Sequence, residues 1–271
     1  MTTTQTHTAL SQVIDLDRYP VDLLDSPRGR AMVEFCRASL AFEGACQLPG
    51  FLRPEAVRRL VAETQAKRDR AYRTDATHNV YFEDVPATAA RDDTLSLLQH
   101  SSKSAIAWDL VDADSPLRLA YGSDELTGFL GRALGVAELH RYADPLGSAS
   151  LMVFEEGDEL GWHFDRSPFA VTVMVQPSAR GGAYEYHHDL RGEDHENSEA
   201  LRAAVRDDLP GRITLPNEPG TLSLFRGRHS LHRVTPVRGD QVRINAVLAY
   251  SERPGDRMNR LTQELFYGRS A

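Results

Sequence analysis

Cysteine is scarce in this chain, with only Cys36 and Cys46 among 271 residues. Two cysteines outside any CxxC pair exclude a disulfide framework and argue against a cysteine-based zinc or redox site. Long apolar runs are missing too, because the longest, such as FAVTVMV, have the length of a strand. A membrane-spanning helix needs about 20 apolar residues. We therefore expect no membrane association.

The sequence also lacks clusters of basic residues. The net charge is -8, and no Lys/Arg-rich run with interleaved aromatic residues occurs. Such a chain repels a phosphate backbone, so nucleic-acid binding is not expected. The opening MTTTQTHTALSQ has neither a basic start nor an apolar run, and therefore does not look like a targeting peptide. We predict a soluble cytoplasmic protein with a small-molecule substrate, and a disordered tail over residues 1–12.

Residues 13–146 are predicted to be a mostly helical region that packs on the core. One helix starts at Ser26 and Pro27, a good cap and first residue, and stops at Gly44. A second helix begins near Pro54, and a third begins at Ser123 with apolar residues on one stripe. We interpret these apolar positions as core.

The period of the sequence changes at about residue 147. Short runs rich in β-branched and aromatic residues follow, punctuated by Gly and Pro: SASLMVF, FAVTVMVQ, GGAYEYHH, RITL, TLSLF and QVRINAVLAY. They predict a mainly β fold of the jelly-roll kind with flanking helices, over residues 147–251. A charged stretch over 190–211, here called the excursion, is expected to lie between two barrel strands and to act as a lid. Residues 252–271 form a C-terminal extension.

A candidate metal site is the strongest chemical signal. His163 and Asp165 are two residues apart, so on an extended backbone both side chains leave the same face. A third ligand must come from another strand, and His232 is the natural candidate, although His229 competes with it. Two imidazoles and a carboxylate form the facial triad that holds non-haem Fe(II). A second cluster is better explained as a solvated loop: His187, His188, Asp189, Asp194 and His195.

Arg243 requires a second explanation. In QVRINAVLAY, alternation places Arg243 and Asn245 on one face of a strand with small apolar residues. A buried guanidinium group needs an anionic partner, and its planar fork suits a carboxylate. The distal carboxylate of a diacid that chelates the metal at its other end would satisfy this requirement.

The HxD motif, the distant His232 and the arginine eleven residues later resemble the signature of the Fe(II)- and 2-oxoglutarate-dependent dioxygenases. The resemblance covers about residues 147–251, and the HRVTPV run after His232 favours this histidine over His229. HNVYFEDVP, GWHFDRSPFAVTVMVQ, GGAYEY and VLAYSERPG are similar to segments of a subgroup that hydroxylates or halogenates free amino acids.

This resemblance implies a distorted double-stranded β-helix with iron held by His163, Asp165 and His232. It also implies that Arg243 pairs with the C5 carboxylate of 2-oxoglutarate, and that O2 is the oxidant. Halogenases of the subgroup have Gly or Ala at the carboxylate position. Because Asp165 is retained, we expect hydroxylation of an sp3 carbon with release of succinate and CO2. Related enzymes with a full triad also desaturate or cyclise.

Residues that contact the substrate are harder to select. The candidates come from the segments of resemblance and from the face of Arg243: His78, Asn79, Tyr81, Glu155, Arg166 and Asn245. Arg166, directly after Asp165, is not what a lysine-specific enzyme would need. The other classes considered are a cupin-like isomerase or hydrolase that uses Zn or Mn, and a catalytically silent β-helix. Arg243 argues against the former, and the intact triad against the latter.

Overall fold

The computed structural model describes residues 9–85, 90, 93–193 and 195–271. Its helices are α1 (residues 9–13), α2 (Pro27–Glu43), α3 (Pro54–Ala66), α4 (Pro116–Tyr121), α5 (Asp124–Leu134), α6 (Ser198–Val205) and α7 (Arg260–Tyr267). Of the helices in this part of the chain, none has both the length and the apolar composition that crossing a bilayer requires.

The strands outnumber the helices and form the core of the molecule. They are β1 (Ala45–Leu48), β2 (Tyr72–His78), β3 (Gln99–Ile106), β4 (His140–Arg141), β5 (Ala149–Phe154), β6 (Leu160–His163), β7 (Ala170–Gln176), β8 (Arg180–Gly181), β9 (Tyr184–His187), β10 (Ile213–Leu215), β11 (Leu222–Phe225), β12 (Leu231–Val234), β13 (Val237–Arg238), β14 (Arg243–Leu248) and β15 (Tyr250–Ser251).

The helix boundaries follow the capping signals in the sequence. The Ser26 side chain accepts a hydrogen bond from the backbone N–H of Gly29 at 3.0 Å, and Pro27 occupies the first turn of α2. Gly44 ends α2 in the left-handed conformation, with φ of 72°. That conformation favours glycine. The predicted start and stop of this helix are therefore confirmed.

One antiparallel sheet of eleven strands forms the core of the molecule. Its order is β1-β11-β7-β14-β5-β3-β6-β12-β9-β10, and β2 pairs with β3 off this path. β3 joins the two halves of the sheet, because Ser104 pairs with Val153 of β5 and Ser101 pairs with Leu160 of β6. The curled sheet with helices on its outside confirms the predicted fold class, a mainly β double-stranded β-helix with flanking helices.

Side chains alternate between the two faces of the curled sheet. The outer face of the β7, β14 and β5 strands carries Val173, Ile244 and Val153, which pack with α2, α3 and α5 in the main core. The inner face carries Arg243 and Asn245, which lie opposite Phe154 and Met152 of β5. The pleat therefore places the polar residues of β14 inside the barrel.

The N-terminal region contains two strands that its sequence does not predict, β2 and β3, whereas the strand-like GACQLPGFL predicts β1. β1 pairs with β11, and β2 and β3 form a hairpin that extends the sheet. The β2 sequence, YRTDATH, is largely exposed and has no apolar alternation, so it gave no strand signal. Residues 9–12, which were predicted to belong to a disordered tail, are helical, and Leu10 is buried; residues 1–8 lie outside the described part.

The excursion lies between β9 and β10, as predicted, and contains α6. Leu201 and Ala204 of α6 are fully buried against Trp162, Phe164 and neighbouring apolar residues. The helix is thus anchored to the outside of the half-sheet that contains β6. The movement of the excursion as a lid remains a prediction.

Candidate metal centre

Three predicted ligands meet at the inner face of the β6–β12 pair. His232 of β12 lies directly opposite His163 of β6 in the sheet register, and Asp165 follows two residues after His163. One potential ligand atom from each of the three lies within 4.8 Å of the others. Asp165 Oδ1 is 4.0 Å from His163 Nε2 and 3.6 Å from His232 Nε2. These atoms can therefore bind one ion.

Backbone carbonyls orient both imidazole rings. The Nδ1–H of His163 donates to the Gly161 carbonyl at 2.8 Å, and that of His232 donates to the Ser230 carbonyl at 3.0 Å. Nδ1 carries the proton in this arrangement, so Nε2 keeps the lone pair that a metal requires. Burial, with a further contribution from His232, lowers the pKa of His163 to about 3. The ring is therefore neutral at pH 7.

Asp165 completes the ligand set. Its Oδ2 is buried and has no hydrogen-bond partner among the described residues, which is a costly state for a carboxylate oxygen. The Asp165 backbone N–H donates to the Gly227 carbonyl at 3.0 Å. A Cβ at Gly227 would lie 1.8 Å from Oδ2, so only glycine leaves room for this carboxylate. Its other oxygen, Oδ1, faces the Nε2 atoms of His163 and His232, so a divalent cation fits between these three atoms.

Arg243 is buried on the same inner face, with 3% exposure. Its Nε donates to the Gly182 carbonyl at 3.0 Å, and its guanidinium carbon lies 5.2 Å from the centre of the Phe154 ring. No carboxylate of the described residues pairs with it. Burial lowers the pKa of Arg243 to about 10, so it remains charged at pH 7. A buried cation without an anionic partner fits a ligand carboxylate.

Aromatic rings surround the two histidines. Tyr184 stacks on His232 with ring centres 5.5 Å apart, and Phe225 meets the same ring edge-on at 4.9 Å. Phe82 contacts His163 edge-on at 5.4 Å. These rings limit the access of water to the ligand atoms.

A cavity of about 340 Å³ opens beside Asp165. It is lined by Tyr81, Glu83, Phe164, Asp165, Arg166, Arg191 and Arg228. The sequence predicted Tyr81 and Arg166 as substrate residues, and both line it. Nothing in the sequence pointed to Glu83, Arg191 or Arg228, because separate segments of the chain bring them together.

The remaining substrate candidates divide into two groups. His78 lies near the centre, with its ring 6.2 Å from that of His163 and its Nε2 2.6 Å from Ser101 Oγ. Asn245 lies on the inner face, two residues from Arg243.

The structure places Asn79 and Glu155 outside the lining of the cavity, so their predicted contact with the substrate stays a prediction. Asn79 is buried, and its side chain bonds to the backbone of Tyr81, Glu83 and Leu95, so it holds the loop that follows β2. The Glu155 carboxylate pairs with Arg68 at 2.6 Å and does not line the cavity.

His229, which competed with His232 in the sequence, and the cluster around His187 lie outside the ligand group. The His229 ring lies 2.9 Å from the Arg191 carbonyl, through Nδ1, and is outside the ligand group. Within the described residues, which do not include Asp194, the His187 region forms no group of three potential ligands.

Comparison with known proteins now identifies the family. The family model described as Halogenase D matches residues 31–266, most of the chain. The chain belongs to the Halogenase D family. No curated protein matches it.

Several solved structures share its fold. The non-heme alpha ketoglutarate dependent epimerase SnoN from nogalamycin biosynthesis is 15% identical, with a TM-score of 0.56 over 82% of this chain and 83% of SnoN. AviO1 from Streptomyces viridochromogenes Tue57 is 17% identical, with a TM-score of 0.53 over 84% of this chain and 96% of AviO1. An oxidoreductase of the 2OG-Fe(II) oxygenase family from Burkholderia pseudomallei is 16% identical, with a TM-score of 0.50 over 83% of this chain and 92% of the other.

Family, fold and ligand geometry agree with the sequence analysis. The chain belongs to an enzyme family described as a halogenase and shares the fold of 2OG-Fe(II) oxygenases, as predicted, and three of its residues can hold one metal ion. Fe(II), 2-oxoglutarate and O2 as its cofactors are part of the proposal below. At these identities the solved structures show the fold alone. The assignment of individual ligands, the reaction outcome and the substrate are therefore matters for a proposal.

Proposed function

We propose that this enzyme hydroxylates an sp3 carbon of a free amino acid or an amino-acid-like metabolite. The observation that carries the proposal is the Asp165 carboxylate, which faces the Nε2 atoms of both His163 and His232. In halogenases of this type, Gly or Ala leaves that position open for chloride. Here the carboxylate fills it, and Gly227 provides the space the carboxylate needs.

The three triad residues and Arg243 each have a defined role in this proposal. His163, Asp165 and His232 hold the iron, and the carbonyls of Gly161 and Ser230 fix the imidazole orientations. Arg243 binds the C5 carboxylate of 2-oxoglutarate. With 2-oxoglutarate and O2, bound iron supplies the oxidation of an unactivated C–H bond, releasing succinate and CO2.

The surrounding residues position the substrate and keep water out. Phe82 and Tyr184 pack against the imidazole rings and shield the ligand atoms. The cavity beside Asp165 contains both signs of charge, from Glu83 and from three arginines. A zwitterionic amino acid matches such a lining, because Glu83 suits its ammonium group and a guanidinium suits its carboxylate.

Two alternatives lead to different products or cofactors. A cupin-like isomerase or hydrolase with Zn or Mn needs no diacid, which leaves the buried Arg243 without a function. Desaturation or cyclisation by the same triad consumes 2-oxoglutarate but adds no oxygen to the product.

The test is turnover by the intact protein with Fe(II), 2-oxoglutarate and a set of free amino acids, with and without oxygen. We expect oxygen-dependent succinate formation and one product heavier than its substrate by one oxygen atom. A parallel reaction in high chloride is expected to give no chlorinated product. Chlorination by the wild-type enzyme would refute the hydroxylase assignment, and a loss of two hydrogens would indicate desaturation or cyclisation. Turnover with Zn or Mn and no succinate would support the cupin-like class.

A further inference from the structure

Three arginine side chains reach the cavity beside Asp165 from three separate parts of the chain. Arg166 directly follows Asp165, Arg191 begins the excursion after β9, and Arg228 lies in the turn between β11 and β12. We call this space the arginine cavity. It adjoins the metal centre, because Asp165 belongs to both.

Backbone carbonyls hold the three guanidinium groups. Arg191 Nε donates to the Arg228 carbonyl at 3.0 Å, and Arg228 donates through Nη2 to the Arg166 carbonyl at 2.6 Å. Arg166 Nη2 donates to the Phe82 carbonyl at 3.0 Å. Since a carbonyl has no net charge, these bonds orient the guanidinium groups without neutralising them.

No carboxylate pairs with these arginines anywhere in residues 9–85, 90, 93–193 and 195–271. Glu196 of the excursion accepts a hydrogen bond from the Tyr81 hydroxyl at 2.5 Å and makes no ion pair with the three arginines. Arg191 lies over the Phe164 ring at 4.2 Å, and burial lowers its pKa although the nearby charge of Glu196 acts in the opposite direction. Three like charges in one cavity repel one another, and besides Asp165 of the triad the negative charges that act on them come from Glu83, which lines the cavity, and from Glu196. Three guanidinium groups exceed these two carboxylates by one positive charge.

We propose that the arginine cavity binds an anionic side-chain group of the amino-acid substrate, a carboxylate or a phosphate monoester. This inference rests on the proposed function, because it assumes that an amino acid occupies the space beside the metal centre. A neutral amino acid brings one ammonium group and one carboxylate, which leaves positive charge in excess. A second anionic group balances that excess and accepts two N–H groups of one guanidinium.

Binding is tested with intact protein loaded with Fe(II) and 2-oxoglutarate in the absence of oxygen. The probes are L-aspartate, L-glutamate and O-phospho-L-serine, compared by calorimetry with L-asparagine, L-glutamine and L-lysine. We expect at least one anionic probe to bind about tenfold or more tightly than the neutral and cationic probes, since a hydrogen bond between charged groups is stronger than one between neutral groups. Tighter binding of phosphoserine than of both dicarboxylates identifies a phosphate, and the reverse identifies a carboxylate.

Substitutions of the cavity arginines test whether these side chains bind the ligand or only hold the neighbouring loops through their hydrogen bonds to backbone carbonyls. Arg191→Gln and Arg228→Gln are expected to weaken the preferred probe about tenfold, whereas 2-oxoglutarate affinity and the thermal midpoint stay near wild type. Arg191→Lys is expected to restore part of the affinity, because it keeps the charge and loses the fork. Arg206→Gln, at an exposed position of the same excursion outside the cavity, is the matched control and is expected to bind as wild type.

Turnover is measured separately from binding. Equal affinity for acidic and neutral probes, or a preference for L-lysine, would overturn the inference even if the enzyme hydroxylates an amino acid. Unchanged affinity in both glutamine variants would overturn it as well. The absence of oxygen-dependent succinate with every amino acid would instead refute the proposed function, whatever the binding data show.

Discussion

Gly227 and Asp165 are in closer contact than any side chain at position 227 would allow. A Cβ on Gly227 would lie 1.8 Å from Asp165 Oδ2 and 2.6 Å from Cγ. Gly227 has no unusual backbone conformation to explain it, since its φ is not among the positive values. Its small size is therefore required by the neighbouring carboxylate.

Gly227→Ala is accordingly expected to displace the Asp165 carboxylate and to lower iron affinity, at a cost of roughly 1–3 kcal/mol in overpacking. In an Asp165→Gly background the same alanine has nothing to collide with and should cost little, which gives a coupling energy between the two sites. Iron content after gel filtration and the free energy of unfolding measure both effects. Gly128→Ala, a helical position where the added Cβ would make only an ordinary contact with Leu24 Cδ1 at 3.9 Å, is the control. Additive effects at Gly227 and Asp165 would contradict the steric explanation.

The two candidate histidines are expected to respond differently to substitution. His232→Ala removes one of three ligands, so iron binding and turnover should be lost while the fold persists. His229→Ala should keep both, since its ring lies next to the Arg191 carbonyl and outside the centre. Co(II) absorption spectra and thermal midpoints of the two variants provide the comparison. Retained metal in His232→Ala together with loss in His229→Ala would reverse the ligand assignment.

Arg243→Ala is expected to weaken 2-oxoglutarate binding steeply. Breaking a buried charged pair from one side costs about 3–5 kcal/mol, which corresponds to roughly a hundredfold or more in affinity. Arg243→Lys should recover part of this loss, because the fork that donates two parallel hydrogen bonds is missing. The KM for 2-oxoglutarate, measured at saturating Fe(II), decides the question. Values near wild type in both variants would remove Arg243 from the cosubstrate site.

A pH dependence of stability is expected from Asp158. This carboxylate is buried and accepts hydrogen bonds from Arg73, from Ser102 Oγ and from the Glu155 backbone N–H. Burial raises its pKa, but the hydrogen bonds more than offset burial, so the net pKa lies below 3.8. A folded-state pKa below the unfolded value gives stability that is present above about pH 4 and is lost as the pH falls through the folded pKa.

Asp158→Asn should therefore lower the free energy of unfolding at neutral pH by roughly 1–3 kcal/mol. The difference in this free energy between wild type and the variant should shrink below about pH 4. Urea titrations at several pH values measure it. Asp114→Asn, which removes the carboxylate of an exposed pair with Arg59, is the control and should have little effect. A difference between wild type and Asp158→Asn that is independent of pH would contradict the assigned pKa.

The sequence predicted those parts of the centre in which the local backbone conformation determines where a side chain points. His163 and Asp165 share a face because of the strand period, and the same period places Arg243 and Asn245 on the inner face of β14. Their meeting with His232 required a jelly-roll topology, which the strand pattern and the family resemblance supplied.

The sequence could not predict contacts that depend on distant segments. Arg228 reaches the Arg166 carbonyl from 62 positions away, and Glu155 is paired with Arg68, 87 positions away. The β2–β3 hairpin was missed for another reason, because β2 is exposed and polar, and the buried positions of β3 include two serines, so neither strand carries a hydrophobic period. The features that could not be predicted are therefore mainly packing contacts and ion pairs between segments that are distant in the sequence.

The pairing of His163 with His232 across β6 and β12 also makes the complete ligand set depend on the register in which these two strands pair. A slip of β12 by one residue would bring Leu231 or Arg233 opposite His163 and turn the second imidazole to the outer face. Only molecules with the correct strand register then possess a complete ligand set. The fraction of refolded protein that captures iron therefore reports how much of the population has closed its barrel correctly.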